Sequence, residues 1–461
     1  MKILTLSTAD IGGGAEKIAW TLFRRYREQR HRSWLAVGLK RSRDPDVLRL
    51  GGGVRRPWPR AWRALREALD HLAGGVRGIP RVERLLSLLE DPRRAADLLL
   101  GHDDFHAPEA WRLLELPPEP PDIVHGHNLH GAWLPSGGYF DLRALPSLSQ
   151  RIPIVLTLHD AWLLSGHCAH SFGCDRWKIG CGQCPDLAIY PAIHRDATAR
   201  NWRHKRAIFS ASRLYLATPS RWLMAKVERS ILAEAVRDAR VIPHGVDLGT
   251  FGPGDAGAAR RHLAIPPDAA VLLFSGPGGH KSPWRNLRTV EIAVEAAAER
   301  LPGRRLILVC LGRSAARQRL GQAEAWHVGY QADPATVARY CQAADLYVHA
   351  ARADTFPTSV LEALGCGTPV IATGLGGIPE QVKDMAAGGA DDATGVLVPA
   401  ADPRAMAEAI VRLLGDEHLR RRLGDNARRD AVQRFDLDRL VGDYLDWYAQ
   451  ILAGARAAPR T

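Results

Sequence analysis

Two carboxylates, Asp354 and Glu362, stand with seven residues between them in "DTFPTSVLEALGCGTPVIAT". Pro357 suits the first turn of a helix. Thr358, Ser359 and Val360 then offer backbone N–H groups at a helix N-terminus, where an anion is stabilised. Glu362 falls about one turn further in, where a carboxylate can accept two ribose hydroxyls. Asp354, ahead of the helix, can reach hydroxyls of a sugar. One helix start thus carries the groups to hold a sugar, a phosphate and a nucleoside in a row. The plainer reading makes Asp354 an N-terminal cap and Glu362 a solvated helix residue. A second glycine turn, Gly374 to Gly377, follows the strand-like run Pro369 to Ala372 and is expected to face the same site.

Other segments carry chemistry of the same kind. In "ADIGGGAEK" the glycines Gly12, Gly13 and Gly14 let backbone N–H groups approach a ligand, and the helix start that follows favours an anion. It is neither a G-x-G-x-x-G fingerprint nor a Walker loop, so a tight strand-to-helix turn without ligand stays open. "HGHNLHG" sets His125, His127 and His130 at one strand end, and "VLTLHDAW" sets His159 and Asp160 at another. His127 and Asn128 are acceptor-side candidates, or else groups that bond backbone at a strand end. Asp160 could orient His159. Cys168, Cys174, Cys181 and Cys184 are spaced C-x5-C-x6-C-x2-C within 17 residues. That spacing admits a structural Zn²⁺, disulfide or redox pairing, or plain thiols.

The elements that must position these groups follow from the apolar pattern. At 461 residues the chain is long for one core. Its 46% hydrophobic and 24% charged residues exclude disordered and fibrous classes. Strands are expected at 2–7, 33–39, 123–127, 154–159 and 214–218, and again at 271–275, 306–311, 346–349, 369–372 and 395–398, with helices between. Alternation of this kind, with continuous apolar strands, predicts an α/β chain of two Rossmann-like, doubly wound parallel-sheet domains. The Gly- and Pro-rich stretch 241–266 marks the junction. The expected division is 1–240, with a Cys-rich loop at 165–186, then 241–435, then a helix in 436–461 crossing back to the first domain. Two such halves leave a cleft, and ligands in such sheets bind beyond the carboxyl ends of the strands. Cys310, Cys341 and Cys366 lie in apolar segments and read as buried thiols.

The run "DTFPTSVLEALGCGTPVIAT" resembles the acid-x7-acid motif of glycosyltransferase family 4, the retaining, nucleotide-sugar-dependent enzymes of GT-B fold. "GGGAEKIAWTL", "TPSRWL", "VIPHGVDLGTF" and "ADLYVHAARADTFP" are similar to other family segments in the same order. The resemblance implies that Asp354 contacts the donor sugar, Glu362 the ribose, and Gly13 and Gly14 the donor phosphates. It implies transfer with retention to an acceptor hydroxyl, with no catalytic metal. Many members have Glu in place of Asp354. The family's phosphate-gripping Arg and Lys fall in "SGPGGHKSPWRNL", where Trp284 and Arg285 stand at those places and Lys281 lies nearby. Arg285 and Lys281 are therefore the phosphate candidates. His159 matches the active-site His of related enzymes, so His159, Asp354 and Arg285 form the implied catalytic set. The "HDxW…GCGxCP" block is similar to a subgroup linked to bacterial surface-polysaccharide assembly, which implies a glycan or lipid-linked acceptor.

The formal net charge of +12 suits an anionic partner. No nucleic-acid-binding module appears and the basic residues are dispersed. The N-terminus lacks the apolar stretch of a secretory signal, and no window of ~20 apolar residues occurs, so a cytoplasmic protein is expected. Trp58, Trp62, Leu65, Leu69 and Leu72 form an apolar stripe among Arg55, Arg56, Arg60, Arg63 and Arg66. Such a helix suits an anionic membrane surface or docking on its own domain. Two further classes compete with a transferase: a sugar-nucleotide epimerase of the same shape, and a non-catalytic subunit of a glycan-assembly complex.

Overall fold

A computed structural model describes residues 1–50, 92–131, 138–276, 282, 284–312 and 314–457. The basic, Trp-bearing stripe of 55–72 and the candidate Lys281 lie outside the described residues. The chain forms two compact units. The first comprises Met1–Thr218, Leu223–Val241 and the segment from Tyr444; the second comprises Pro219–Trp222 and Ile242–Asp443.

The first unit is built on β1 (Lys2–Ala9), β2 (Arg32–Leu39), β3 (Val47–Arg49), β4 (Ile123–His127), β5 (Ile154–Thr157), β6 (Leu214–Thr218) and β7 (Val236–Val241). They lie in the order β3-β2-β1-β4-β5-β6-β7, every pair parallel. The second unit has β8 (Ala270–Ser275), β9 (Leu306–Leu311), β10 (Ala316–Leu320), β11 (Ala323–Val328), β12 (Leu346–His349), β13 (Val370–Thr373) and β14 (Gly395–Val398). Their order is β10-β11-β9-β8-β12-β13-β14, parallel except for the β10/β11 hairpin.

Parallel strands are covered by helices on both faces, so their side chains are apolar in both directions. All six residues of β9, "LILVCL", are buried. Alternate residues feed opposite layers. Val271 and Leu273 join Val360, Leu361 and Leu364 on one face. Leu272 and Phe274 join Val290, Val294, Met406 and Ile410 on the other. Cys310, Cys341 and Cys366 are buried thiols. Four strands escaped the apolar pattern. β10, "ARQRL", is exposed at four of its five positions, and β7, "VRDARV", has no buried residue. Edge strands of this kind are polar and short, and carry no hydrophobic run to find.

In each unit the strand order reverses once at the centre, between β1 and β4 and between β8 and β12. The carboxyl ends of those strands form the crevice where such sheets bind ligands. The final helix, Leu437–Ala457, buries Tyr444, Trp447 and Tyr448 completely in the first unit. Trp447 Nε1 donates to Asp238 at 2.7 Å. Among the described residues no helix is long and apolar enough to cross a membrane. Trp447→Ala is expected to destabilise the first unit by about 3–5 kcal/mol, read as an early transition in urea unfolding followed by intrinsic fluorescence.

Candidate active site

In the second unit the loop after β8 is zipped to the loop after β12. Arg285 bridges Ala351, Asn286 N–H donates to Ala350 O at 3.0 Å, and Arg352 N–H donates to Trp284 O at 2.8 Å. This pairing sets the Arg285 guanidinium on Asp354, to which Nη1 donates directly. His349, the last residue of β12, contacts the same carboxylate through Nε2 at 3.3 Å. Burial opposes charge on Asp354, but the Arg285 guanidinium and the His349 contact hold its carboxyl well below the usual range. Burial, aided by Arg285, lowers the His349 pKa to about 4. His349 is therefore neutral near pH 7. Facing a carboxylate, its Nε2 carries the proton, which leaves Nδ1 to accept from Tyr347 Oη at 3.5 Å.

The helix Thr358–Gly365 starts here, with Pro357 as its N-cap residue and no side chain closing its first amides. Asp354 is therefore not the cap. Glu362 is buried at 7% exposure, so it is not a solvated helix residue either. Both plain readings of the acid pair fail. The second glycine turn packs on the acid segment. Gly376 has φ +60°, and a Cβ there would strike Asp354 O; a Cβ on Gly377 would strike Thr355 O. The close approach that needs glycine is to the Asp354 segment itself. The turn braces the acid. Glu380 just beyond it accepts from the N–H groups of Arg221 and Trp222, each at 2.8 Å.

In the first unit β4 and β5 run side by side with His127 opposite Thr157. His127 Nδ1 and His159 Nε2 are 2.9 Å apart. His125 spans Thr157 Oγ1 at 2.7 Å and Tyr448 Oη at 2.6 Å. Thr157 Oγ1 in turn meets Tyr444 Oη at 2.6 Å. Burial lowers the His159 pKa to about 4 and that of His125 to about 3. Asp160 does not hydrogen-bond His159 here: its Oδ2 meets His130 Nε2 at 2.8 Å, and Oδ1 accepts from Trp162 N–H at 2.9 Å. Asn128 sits in the left-handed region, φ +43°. Its carbonyl oxygen accepts from Tyr139 Oη at 2.8 Å.

Glu16 was not legible as a site residue. It lies three positions after Gly13, the N-cap of the helix Gly14–Glu28, and is 4% exposed. Burial raises its pKa against backbone hydrogen bonds from its own N–H and that of Gly13. This is the returning half of a capping box, and the spacing is its only signal. The Gly13 amide, read as a phosphate donor, here serves a carboxylate.

The Cys-rich segment follows β5. Cys168, Cys174, Cys181 and Cys184 are free thiols. Among the described residues no group of three or more His, Cys, Asp or Glu is placed to hold a metal ion. The loop is fastened by Lys205, fully buried, whose Nζ donates to Trp162 O and Ser165 O at 3.1 Å and lies 3.7 Å from the Trp162 ring centroid. Gly166 N–H donates to Cys181 Sγ, and His167 Nε2 meets Cys184 Sγ, both at 3.3 Å. Burial pushes the Cys181 thiol up to about 11.

Residues 290–430 match the family described as Glycosyl transferases group 1. A D-inositol 3-phosphate glycosyltransferase of Catenulispora acidiphila is 30% identical over 324 residues, spanning 65% of this chain and 72% of that relative. Sucrose-phosphate synthase from Thermosynechococcus elongatus aligns at TM-score 0.60 and 20% identity, covering 98% of this chain and all of that one. HepE of Anabaena, solved in complex with UDP-glucose, aligns at TM-score 0.58 and 17% identity, with 98% and 100% coverage. These structural likenesses establish the GT-B fold.

Gly376→Ala is expected to cost the second unit about 1–3 kcal/mol through the strained φ and the contact with Asp354, measured by urea unfolding. A pH dependence follows from the neutral histidines. Unfolded His titrates near ~6.5, whereas His125, His159 and His349 titrate at about 3, about 4 and about 4 when folded. Between ~6.5 and about 4 the unfolded chain binds more protons, so stability falls as pH drops through that window. Asp354 stays ionised throughout it, and its stabilisation is intact above ~3.9 and lost only as pH falls below that. Melting temperature should fall from pH 7 to pH 5, with a shallower slope in His125→Gln.

Proposed function

This chain belongs to the group 1 glycosyltransferase family, and from that premise we propose that its second unit holds the donor at the Arg285–Asp354–His349 cluster. The chain is a glycosyltransferase that uses a nucleotide sugar. In this reading the diphosphate lies against Arg285 and the first amides of the helix, those of Thr358, Ser359 and Val360, the last of which donates to Pro357 O at 3.2 Å here. The sugar lies at Asp354 and the ribose at Glu362. The observation that carries it is the partly buried Arg285–Asp354 pair standing beside a helix start with no side-chain cap, at the carboxyl ends of β8 and β12. Arg285 supplies fixed positive charge where the leaving diphosphate gains negative charge. Asp354, held ionised, offers an acceptor to sugar hydroxyls and a negative charge near the oxocarbenium-like carbon.

The remaining details extend the same reading. UDP is the favoured base, since HepE was solved with UDP-glucose. Transfer proceeds with retention. The acceptor hydroxyl belongs to a glycan or lipid-linked sugar of a bacterial surface polysaccharide, and the enzyme works in the cytoplasm at the inner face of the membrane. A second acceptor reading, a polyol phosphate, is favoured by the relative named for D-inositol 3-phosphate.

Isothermal titration with UDP and with GDP tests the donor site. One nucleotide should bind, and Glu362→Ala should weaken it by about 10- to 100-fold, the loss expected for hydrogen bonds to a charged acceptor. Equal affinity in the variant would remove Glu362 from the ribose.

A further inference from the structure

The far part of the Cys-rich segment has almost no core of its own. Between Phe172 and Tyr190 only Trp177 is buried, and the one helical turn is Arg176–Lys178. Lys205 fastens the start of the segment alone, at Trp162 O and Ser165 O. Gly180, Cys181, Gly182 and Gln183 all lie at positive φ, +132°, +56°, +83° and +46°. Two of them are not glycine, and strain of that kind gathers at ligand clamps. His167, 2% exposed, stands against this turn. Its Nδ1 meets Pro191 O at 3.1 Å. A carbonyl only accepts, so in the neutral ring Nδ1 carries the hydrogen and Nε2 the lone pair. That Nε2 faces Cys184 Sγ at 3.3 Å. A histidine that ligates a metal is held in the same way, its other nitrogen donating to a carbonyl. A tetrahedral Zn²⁺, with Zn–N of ~2.0 Å and Zn–S of ~2.3 Å, sets its nitrogen and sulfur about 3.6 Å apart. The His167–Cys184 pair is already close to that separation.

We propose that this segment binds one structural Zn²⁺ on His167 Nε2 and Cys184 Sγ, completed by Cys181 and by either Cys168 or Cys174. The remaining thiols are near at hand. Cys168, Cys174 and Cys181 interact electrostatically with one another, and Cys168 and Cys174 also with Cys184. In the side-chain rotamers described no three donors surround one point; closure turns two further thiols onto the preset His167–Cys184 pair. Three thiols bind as thiolates and release three protons to solvent. The site then carries one net negative charge. Lys205, coupled to Cys168 and Cys181, and Lys226, coupled to Cys168 and Cys174, stand where they offset it. The Gly166 N–H already aimed at Cys181 Sγ favours a thiolate there too. Four protein ligands leave no position for a substrate, so the metal closes the loop and takes no part in transfer. None of these residues belongs to the donor site proposed above, and the metal site stands whether or not that reading holds.

The test uses the full chain, purified under a reducing agent, stripped with a chelator and titrated with zinc sulfate or cobalt chloride. One equivalent of zinc should bind, and the loaded chain should melt at a higher temperature than the stripped one. Cobalt should give the visible bands of a tetrahedral site together with a thiolate charge-transfer band. Cys181→Ser and Cys184→Ser should abolish tight binding, and so should one of Cys168→Ser and Cys174→Ser. His167→Gln should weaken zinc by more than the ~10- to 100-fold that loss of an outer hydrogen-bond partner costs, and should alter the cobalt bands. A folded parent chain that takes up neither metal overturns the site, whatever the variants do. Zinc held as tightly by His167→Gln as by the parent, with the cobalt spectrum unchanged, overturns the ligand set, because His167 would then stand outside it.

Discussion

A carboxylate taken out of water must be answered by opposite charge or hydrogen bonds, and Asp354 is answered by Arg285 and His349. Much of the second unit serves this one requirement. The zipped loops at 284–286 and 350–352 deliver the guanidinium. The end of β12 delivers the imidazole. The glycine turn after β13 presses on the backbone of Asp354 and Thr355 and fixes where the carboxylate stands. On the proposed reading an incoming diphosphate would compete for the same guanidinium, and Asp354 would exchange that charge for hydrogen bonds from sugar hydroxyls and His349.

The first unit solves its polar problem differently. His125 and His159 lie too deep to be charged near pH 7, so they are neutral and hydrogen-bonded. The chain from Tyr26 through Tyr448 to His125, Thr157 and Tyr444 ties the final helix to β4 and β5. His127 and His159 pair beside it. Such a network rigidifies when its members are satisfied.

The α/β class and the ten apolar strands were legible because parallel strands buried on both faces are written as apolar runs. The polar edge strands β7 and β10 were not, because exposure removes that signal. Asp354 and Glu362 were legible as a pair through their spacing and the proline between them. Their surroundings were not: His349 is one strand-end residue among many until the fold sets it on Asp354. Gly376 and Gly377 announced a close approach without saying to what. The Cys spacing likewise announced a bound loop without showing that its start is held by Lys205, a single lysine in a polar helix, "TARNWRHKRAIFS". Glu16 shows the same limit, since a capping spacing after glycines reads equally as an open anion site.

The most direct test of the donor site is a crystal structure with an intact nucleotide sugar. The account predicts the diphosphate on Arg285 and the amides of Thr358 to Val360, ribose hydroxyls on Glu362, and Asp354 turned from Arg285 to the sugar. A nucleotide sugar bound elsewhere, with the Arg285–Asp354 pair unbroken and Glu362 out of contact, would contradict it.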